Sequence, residues 1–413
     1  MTVTPDSVTQ PITMGSAEFA ADPTAHYAWL REHAPVGQVR LDFGAFAQEL
    51  WVVSRYADCK AMLTDPRLLR SPGGGPPPGV EVPEHIRLVS TATLDMKDGG
   101  DHRRLRSLVA APFTPKRIQR LGEQVRALAE ARLAALREES GGDPVDLRQE
   151  FALPVTYTVI ADMVGVAEDD RPQFQRGVDA LMSGFSGSQN DWEGRIKDLV
   201  AVTRDLVERK RAEPGDDIVT GLIQAEEAGD RLDDTELVAM VFSLVTAGYE
   251  TTYNLITNGT AALLDHPDQL ARLRAAPDDE ALWRSAVEEV ARFLPPITGT
   301  RPATVVEDLE WHGQKLPAGS LVIPLLAAAN RDPAEFADPE LFDIGRSPNP
   351  HLSFGHGVHF CLGANLARME ARVALQVLVG TCPDLRLAVG RSALALEPMP
   401  LWTRFRELPV HVG

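Results

Sequence analysis

The chain has 413 residues, of which 44% are hydrophobic and 24% are charged, the balance of a protein that folds around a large core. This composition excludes a disordered, collagen-like or disulfide-stapled chain. The net charge of −18 argues against a general binder of nucleic acid or anionic membranes, because phosphate groups repel a protein of that sign.

Three cysteines, Cys59, Cys361 and Cys382, are spread along the chain without a C-x-x-C pair. An odd number of widely spaced cysteines indicates free thiols in a reducing compartment rather than a disulfide framework or a zinc ribbon. The N-terminus lacks a basic stretch followed by an apolar run, and no segment reaches the roughly 18 consecutive apolar residues of a membrane span. We therefore expect a cytoplasmic protein without a membrane segment.

The middle of the chain is predicted to be mostly helical. Residues 1–20 are expected to form a flexible start, followed by a short helix at 26–31 and a hairpin at 39–53, where apolar and polar residues partly alternate. The glycine- and proline-rich segment 71–79 is predicted to be a surface loop. Helical spacing of apolar residues then predicts helices at 102–111, 115–138, 147–163, 170–183, 193–211, 216–228, 233–265, 267–274 and 280–293.

The last third of the chain has a different pattern. Short strands are predicted within 301–326, around the turn Pro317-Ala318-Gly319, and coil is predicted at 335–357. A last helix is predicted at 362–380, before strand-like pieces. Because no internal repeat or linker divides the sequence, we expect one domain over 1–413, mainly α-helical with minor β structure.

A glycine-rich loop at 354–363 has Cys361 at the start of an apolar helix. A thiol there meets free backbone N–H groups and the positive end of a helix dipole, which favour the thiolate that binds metals or acts as a nucleophile. Gly355, Gly357 and Gly363 would let the backbone approach a flat, bulky ligand closely. The alternative is a buried free cysteine after a turn, and these residues alone do not separate the two.

Parts of this loop also resemble two other kinds of functional site. The segment 355–357 resembles the opening of a dinucleotide-binding fingerprint, but Phe360 stands where the third glycine belongs, and coil precedes the segment instead of a strand. His359 and Cys361 could form a cysteine hydrolase dyad, although residues two apart at a junction between loop and helix need not face each other. The hydrolase alternative stays open at this point.

Two pairs of ionisable residues lie at helical spacing. Glu289 and Arg292 are three apart on one helix face, either as an exposed pair or as groups that share a partner. His102 and Arg106 are four apart, a suitable pair of donors to a buried carboxylate. A solvated basic face is the alternative for the second pair.

The predicted helix 233–265 has an uncharged apolar middle that should be buried. Within it, the segment 247–252 (AGYETT) places a helix-weakening glycine before an acid and two hydroxyls. Glycine and back-bonding threonines can distort a helix and open a notch for a small ligand or water. Either Glu250 faces solvent beside a packing glycine, or Glu250 and Thr251 form a buried acid–alcohol pair that could relay protons.

Together these residues resemble the cytochrome P450 family, over nearly the whole chain. The pattern FGxGxHxCxG at 354–363 is very specific, and it follows AGxETT at 247–252 and ExxR at 289–292 in the order of that family. The resemblance implies the cytochrome P450 fold, with a helix-rich part and a small β-rich region. It also implies haem b as the cofactor, with Cys361 as the axial thiolate ligand of the iron.

The resemblance assigns roles to further residues. Those that match haem-propionate positions are His102, Arg106, Arg301 and His359. Those that match the structural ion network behind the cysteine loop are Glu289, Arg292 and Arg346. Those that match the oxygen notch are Ala247 and Gly248. Phe354 would pack near the thiolate, Gly363 belongs to the same cofactor-binding loop, and Thr251 with Glu250 would order water and supply protons during oxygen activation.

The reaction implied by the resemblance inserts one atom of O2 into a C–H or C=C bond of a small organic substrate, while the second atom leaves as water. Mobile access elements are expected at 71–94 and 183–194. Positions that often face substrate are Leu244, Ala247, Ile297, Gly299 and Leu401. They predict a pocket with apolar walls, for which we expect a natural-product intermediate such as a polyketide, terpenoid or peptide.

Electrons are expected to come from NAD(P)H through separate proteins, since no flavin or iron–sulfur domain is seen after the last strands. The resemblance implies an acidic ferredoxin and its reductase as these partners, and a monomeric enzyme. Four basic residues of this acidic chain are predicted to form the docking patch: Arg103, Arg104, Lys116 and Arg117.

One departure from the family pattern is the segment 95–101, which is looser than the usual Asp-Pro-rich turn before His102. Two other functions remain. One is a haem-thiolate enzyme that couples rings or acts as a peroxygenase, and the other is a non-catalytic haem-binding protein. The presence of both Glu250 and Thr251 speaks against a dedicated peroxygenase, which does not need a proton relay.

Overall fold

The structure is a computed structural model, and it describes residues 11–43, 47–70, 82–176, 192–227, 232–248 and 250–413. Within these ranges the chain is mainly α-helical and carries three small sheets. The expected fold class, mainly α with minor β, is confirmed. None of the described helices combines the length and the apolarity that crossing a membrane requires.

The helices are numbered here in chain order. They are α1 Ala17–Ala21, α2 Pro23–His33, α3 Tyr56–Met62, α4 Glu84–Arg87, α5 Gly99–Val109, α6 Pro115–Ser140, α7 Leu153–Val164, α8 Trp192–Ala212, α9 Ile218–Glu227, α10 Asp234–Gly248, α11 Glu250–Asp265, α12 Pro267–Ala275, α13 Glu280–Phe293, α14 Leu326–Ala329 and α15 Ala364–Thr381. Residues 171–176 are also helical. Two π-helical turns, Leu88–Ala92 and Arg148–Ala152, lead towards α5 and into α7.

The strands are β1 Thr13–Met14, β2 Val36–Asp42, β3 Ala47–Val53, β4 Leu68–Leu69, β5 Val145–Asp146, β6 Ala303–Val305, β7 Leu309–Trp311, β8 Gln314–Leu316, β9 Leu321–Pro324, β10 Arg386–Leu387 and β11 Pro409–His411. The largest sheet has the order β1-β2-β3-β9-β6-β4, and the other two are β10-β11-β5 and the hairpin β7-β8. The predicted hairpin is present as β2 and β3, paired from Val36 with Val53 to Asp42 with Ala47. Strand β9 lies parallel to β3, so it joins the last third of the chain to the N-terminal strands.

The largest hydrophobic core lies among the helices. Helix α11 packs against α7, α13 and α15, and α15 also packs along α6. The described residues of α10 and α11 from Leu237 to Leu263 are buried except for a short stretch around Ala247. Their sequence explains this, because Glu250 is the one charged residue from Leu237 to Leu263, and a helix that is apolar on most sides is stable only inside the protein. The segment around 247–251 therefore lies at the centre of the helical part of the fold.

The structure corrects or refines several expected boundaries. Of the expected flexible start at 1–20, residues 1–10 lie outside the described residues, and beyond them Met14 is fully buried and pairs with Leu41 in the large sheet. The predicted helix 233–265 is described in two parts, α10 and α11, on either side of position 249. The predicted loop 71–79 lies outside the described residues. The same holds for 183–191, whereas Trp192 to Gly194 belong to α8.

Candidate functional site

The glycine-rich loop before α15 forms a tight turn that presents Cys361. Gly355 and Gly357 have φ angles of +74° and +71°, a conformation that glycine adopts without steric cost. A Cβ atom on Gly357 would also lie 2.9 Å from the Thr64 side chain. The Cys361 N–H donates to the Phe354 carbonyl over 2.8 Å and closes the turn. The glycines thus allow the loop to fold back on itself directly before the helix.

Cys361 is the accessible cysteine of this chain, whereas Cys59 and Cys382 are buried. The Gly363 N–H, a backbone donor as the sequence predicts, favours the thiolate, and so do the positive charges of Arg368 and Arg106. Desolvation by the surrounding protein nevertheless dominates, and it raises the pKa of the Cys361 thiol. An accessible sulfur in desolvating surroundings is a site where a bound cation would be needed to hold the negative charge.

Helix α5 holds the cysteine loop from one side. The Arg106 guanidinium donates to the carbonyls of Val358 at 3.1 Å and Phe360 at 2.7 Å. The rings of His102 and His359 lie with their centroids 4.4 Å apart. Burial, together with the nearby His359 and Arg106, lowers the pKa of His102 to about 4, so His102 is neutral at pH 7. Three of the four predicted propionate residues are thus brought together.

The fourth predicted propionate residue, Arg301, lies in a neighbouring charged cluster. It forms an ion pair with Asp95, and the His359 imidazole lies 3.5 Å from a carboxylate oxygen of Asp98. The backbone N–H of Arg70 donates to the other oxygen of Asp98 at 2.8 Å. Arg70 and the two aspartates were not predicted as site residues. The loose segment 95–101 was the available signal, since both acids lie in it.

The predicted ion network behind the loop is present and buried. Glu289 and Arg292 are fully buried and share two hydrogen bonds of 2.8 Å, which rules out the alternative of an exposed surface pair. Arg346 donates to Glu289 at 3.2 Å, and so does Asn349 at 3.1 Å. Arg292 also donates to the carbonyls of Asn330, Pro339 and Leu341. These bonds join α13 to the coil that precedes the cysteine loop.

One face of α10 and the start of α11 stays accessible within otherwise buried helices. Leu244, Ala247 and Thr251 are not fully buried and lie at spacings of three and four residues, which places them on one side. The Thr251 hydroxyl donates to the Ala247 carbonyl over 2.8 Å. Gly248, in contrast, faces α7, because a Cβ atom at this position would lie 2.9 Å from the Ile160 side chain. Gly248 therefore permits close helix packing, and only Ala247 of the predicted notch pair is exposed.

Glu250 and Thr251 do not form a direct acid–alcohol pair. The Glu250 side chain is fully buried, and its Oε1 accepts from Arg404 at 2.6 Å and from the Tyr253 hydroxyl at 2.9 Å. Burial raises the pKa of Glu250, although Arg404, Tyr253 and Arg148 oppose the shift. The sequence gives no signal for Arg404, which is 154 positions away along the chain. The predicted pair is thus divided between an accessible face and a buried charge network.

Three of the predicted substrate residues, Ile297, Gly299 and Leu401, lie together in a second group, away from α10. Ile297 pairs with Trp402, and the Thr298 N–H donates to the Leu401 carbonyl at 2.8 Å. A Cβ on Gly299 would lie 2.9 Å from the Leu401 side chain. Glycine is therefore required where these two segments meet. Leu244 and Ala247 lie on α10 instead.

The predicted basic patch is smaller than expected. Arg104 forms two hydrogen bonds with Glu236, at 2.5 and 3.1 Å, because α5 lies beside the start of α10. Arg117 pairs with Asp216 at 3.2 Å. Arg103 and Lys116 are exposed. The prediction that Arg104 is free for docking is therefore wrong.

The sequence is similar to those of known proteins over most of its length. The family model described as Cytochrome P450 matches residues 77–382. The cytochrome P450 monooxygenase PikC of Streptomyces venezuelae is 38% identical over 394 residues, which cover 95% of this chain and 92% of PikC. The 6-deoxyerythronolide B hydroxylase of Saccharopolyspora erythraea is 37% identical over 423 residues, with all of both chains covered.

The fold also matches that of solved cytochrome P450 structures. The solved structure of the cytochrome P450 PksS, from the bacillaene polyketide synthase of Bacillus subtilis 168, matches with a TM-score of 0.85 and 32% identity. The match covers 97% of this chain and 99% of PksS. The specific cysteine-loop pattern, the helical architecture and these matches agree over almost the full length. The chain belongs to the cytochrome P450 family.

Proposed function

We propose that this cytochrome P450 monooxygenase binds haem b and inserts one atom of O2 into a C–H or C=C bond of an apolar natural-product intermediate. The observation that carries the proposal is the accessible thiol of Cys361 at the end of the glycine-rich loop. The names of the relatives favour one of the predicted substrate classes, since one is a hydroxylase of 6-deoxyerythronolide B and another belongs to a polyketide synthase. We therefore take a polyketide as the substrate class.

The residues of the site fit a haem group. Haem needs a thiolate for its iron, a close approach of backbone to its flat macrocycle, and donors for two carboxylates. The accessible sulfur of Cys361, the turn at Gly355 and Gly357, and the group of His102, Arg106 and His359 meet these needs. When bound, the haem iron supplies the activation of O2, which no side chain of the protein can perform.

In this proposal the protein's own side chains hold the cofactor in one orientation. Arg106 stabilises the cysteine loop through two backbone carbonyls and, with His102, His359 and Arg301, would face the propionates. Arg301 is paired with Asp95. We infer that it exchanges this partner for a propionate, since both partners are carboxylates of the same charge.

The substrate would be enclosed by apolar side chains on two sides. Leu244 and Ala247 form the accessible face of α10, and Ile297, Gly299 and Leu401 form the second group. Such walls offer few polar contacts. We infer that they select a bulky apolar substrate by shape, because hydrophobic contacts are not directional.

The Thr251 hydroxyl would order water and hand on protons on the accessible face of the helix. Its hydrogen bond to the Ala247 carbonyl must be given up or shared when the hydroxyl donates to another acceptor. Glu250 would supply protons from the buried side, which requires its carboxyl to reach Thr251 through water or through a change of side-chain conformation.

Electrons would come from NAD(P)H through a separate ferredoxin and ferredoxin reductase, to a monomeric enzyme. The exposed Arg103 and Lys116 support docking of an acidic partner, because they provide positive charge on the surface of a protein whose net charge is −18. Arg104 and Arg117 contribute less positive charge to this surface, because each is paired with an acidic side chain.

Turnover under ¹⁸O2 tests the proposal. The purified protein would be supplied with NADPH, a bacterial ferredoxin and its reductase, and a panel of macrolactone polyketides, terpenoids and peptides. We expect a product from the polyketide set that carries one ¹⁸O atom, and no product from the Cys361→Ser variant. Cys59→Ser serves as the control, since Cys59 is buried in another part of the fold. Ring coupling without ¹⁸O, or product that forms with peroxide but not with O2, NADPH and the redox partners, would contradict the monooxygenase proposal.

A further inference from the structure

A buried charge network joins Glu250 to a C-terminal hairpin. Arg404 Nη1 donates to Glu250 Oε1 at 2.6 Å, and Arg404 Nε lies 3.0 Å from a carboxylate oxygen of Glu397. Arg148 donates to the Tyr253 hydroxyl at 3.0 Å, and that hydroxyl donates to the same Glu250 Oε1. The side chains of Glu250, Tyr253, Arg148 and Arg404 are all buried. This network includes the acid beside Thr251 and lies off the accessible face of the helix.

The hairpin that carries Arg404 also carries Leu401 at its tip. Its stem is held by pairing of Leu396 with Phe405, and by the Glu397 N–H, which donates to the Arg404 carbonyl at 2.8 Å. Leu401 has a φ of +65°, which a non-glycine residue adopts only where the surroundings hold it. The tip contacts Thr298 and Gly299, and Gly299 belongs with Leu401 to the second group of predicted substrate positions. We call residues 396–405 the C-terminal hairpin.

The two oxygens of the Glu250 carboxylate are in different situations. Oε1 accepts two hydrogen bonds, whereas Oε2 is buried and has no hydrogen-bond partner among the residues that the structure describes. A buried carboxylate oxygen without a donor is costly when charged, and protonation of that oxygen removes the cost. Oε2 is therefore the atom at which this acid would carry a proton.

We propose that Arg404 is a positioning residue that fixes Glu250 through Oε1, keeps Oε2 available for proton transfer, and ties this acid to the substrate-contacting C-terminal hairpin. The inference rests on the proposed function, in which Glu250 supplies protons. A substrate that displaces Leu401 would then move the stem residue that holds the acid. Proton delivery would thereby respond to occupancy of the substrate pocket.

The charge of Arg404 and the charge of Glu397 act on Glu250 with opposite sign. Arg404, Tyr253 and Arg148 lower the pKa of Glu250, whereas Glu397 and burial raise it. Arg404→Gln should therefore move the protonation midpoint of Glu250 upward by about one pH unit or more, and Glu397→Gln should move it downward. Arg404→Lys keeps the charge and should restore most of the midpoint.

The midpoint can be measured in the holoenzyme by infrared spectroscopy. The carbonyl band of the protonated Glu250 carboxyl is identified as the band that is missing in Glu250→Gln, and is then titrated with pH in each variant. Arg406→Gln is the matched control, because Arg406 is the exposed arginine two residues along the chain. Thermal unfolding of each variant separates a shift in the midpoint from loss of the fold.

Coupling of NADPH use to product is the second readout. We expect Arg404→Gln to lower product per NADPH severalfold and Arg404→Lys to recover part of it, with Arg406→Gln equal to wild type. If Arg404→Gln does not fold, the inference is still tested by the downward shift of the midpoint in Glu397→Gln and by a near-native midpoint in Arg404→Lys. Equal midpoints and equal coupling in wild type, Arg404→Gln and Glu397→Gln would overturn the inference.

Different variants test the proton relay and the role of Arg404. If neither Thr251→Ala nor Glu250→Gln changes coupling, the proposed proton relay itself is wrong. If Glu250→Gln uncouples the enzyme but Arg404→Gln leaves both midpoint and coupling unchanged, the relay stands and the role of Arg404 is wrong.

Discussion

Arg106 donates to the carbonyl of Phe360 over 2.7 Å, one residue before the cysteine that defines the site. A second bond from the same guanidinium reaches Val358, so Arg106 bridges the carbonyls on both sides of His359. Helix α5 and the cysteine loop are 254 positions apart along the chain and are fixed to each other through this side chain. The geometry of the loop therefore depends on a residue that would also face the cofactor.

Replacing Arg106 by Ala should lower haem content and stability together. Hydrogen bonds from a charged donor contribute about 1.5–3 kcal/mol each, so loss of two should leave the cysteine loop loosely held. Haem per protein and thermal unfolding measure the effect. Arg103→Ala is the control on the same helix, because Arg103 is exposed. Full haem content and an unchanged melting temperature in Arg106→Ala would contradict the role given to this residue.

Replacing Glu289 by Gln should destabilise the protein by about 3–5 kcal/mol, since it leaves the buried charge of Arg292 without its partner. Chemical denaturation measures the change. Glu139→Gln provides the contrast, because Glu139 pairs with Arg132 at 3.0 Å on the surface. That exposed pair should contribute less than about 1 kcal/mol. If the two variants lose similar amounts of stability, burial does not explain the contribution of the Glu289–Arg292 pair.

Thr251→Ala should uncouple oxygen use from product formation. A positioned proton donor typically contributes about 10²–10⁴-fold to a proton-transfer step, so product per NADPH should fall strongly while peroxide release rises. Thr252→Ala is the matched control. Thr252 makes the same type of bond, to the Gly248 carbonyl at 3.0 Å, but it is buried. Equal uncoupling in both variants would point to helix distortion rather than to a hydroxyl on the accessible face.

Glu370→Gln should stabilise the protein at neutral pH. Glu370 is buried in α15, its Oε2 has no hydrogen-bond partner in the described part of the chain, and burial raises its pKa well above the usual range. Because the folded state binds this proton more tightly than the unfolded chain, wild type should lose stability as pH rises above about 4.3, the usual glutamate pKa, until the folded pKa is passed. The advantage of Glu370→Gln should therefore grow with pH.

Melting temperatures between pH 5 and pH 8 measure this difference. Glu130→Gln in α6, which packs beside α15, is the control, because Glu130 is exposed. A constant offset between wild type and Glu370→Gln at every pH would contradict the assignment of the raised pKa to this residue.

Reversing Arg103 and Lys116 to Glu should slow turnover driven by ferredoxin. Both side chains are exposed, and reversal of their charge repels an acidic partner. Turnover driven by peroxide needs no partner and should stay unchanged. Arg104→Gln should leave both the ferredoxin-driven and the peroxide-driven rate unchanged, because Arg104 is already paired with Glu236. Loss of the peroxide-driven rate as well would indicate damage to the site instead of to docking.

Local patterns in the sequence predicted the helical middle of the chain, the hairpin of β2 and β3, and the ion pair of Glu289 with Arg292. Helical spacing, alternation of apolar residues and the family resemblance are enough for these. The sequence could not predict the network of Glu250 with Arg404, because it depends on the packing of a C-terminal hairpin against α11. It also missed the pairing of Arg104 with Glu236, since spacing on one helix does not show which neighbouring helix lies beside it.

The absorption spectrum of the purified, dithionite-reduced protein with carbon monoxide tests the central claim most directly. Thiolate ligation by Cys361 predicts the red-shifted Soret band of a haem-thiolate protein, its loss in Cys361→Ser, and its retention in Cys59→Ser. A polyketide that binds in the predicted pocket should in addition shift the oxidised protein from low to high spin. A histidine-type band, or a well-folded protein without haem, would contradict the assignment of Cys361 as the ligand of the iron.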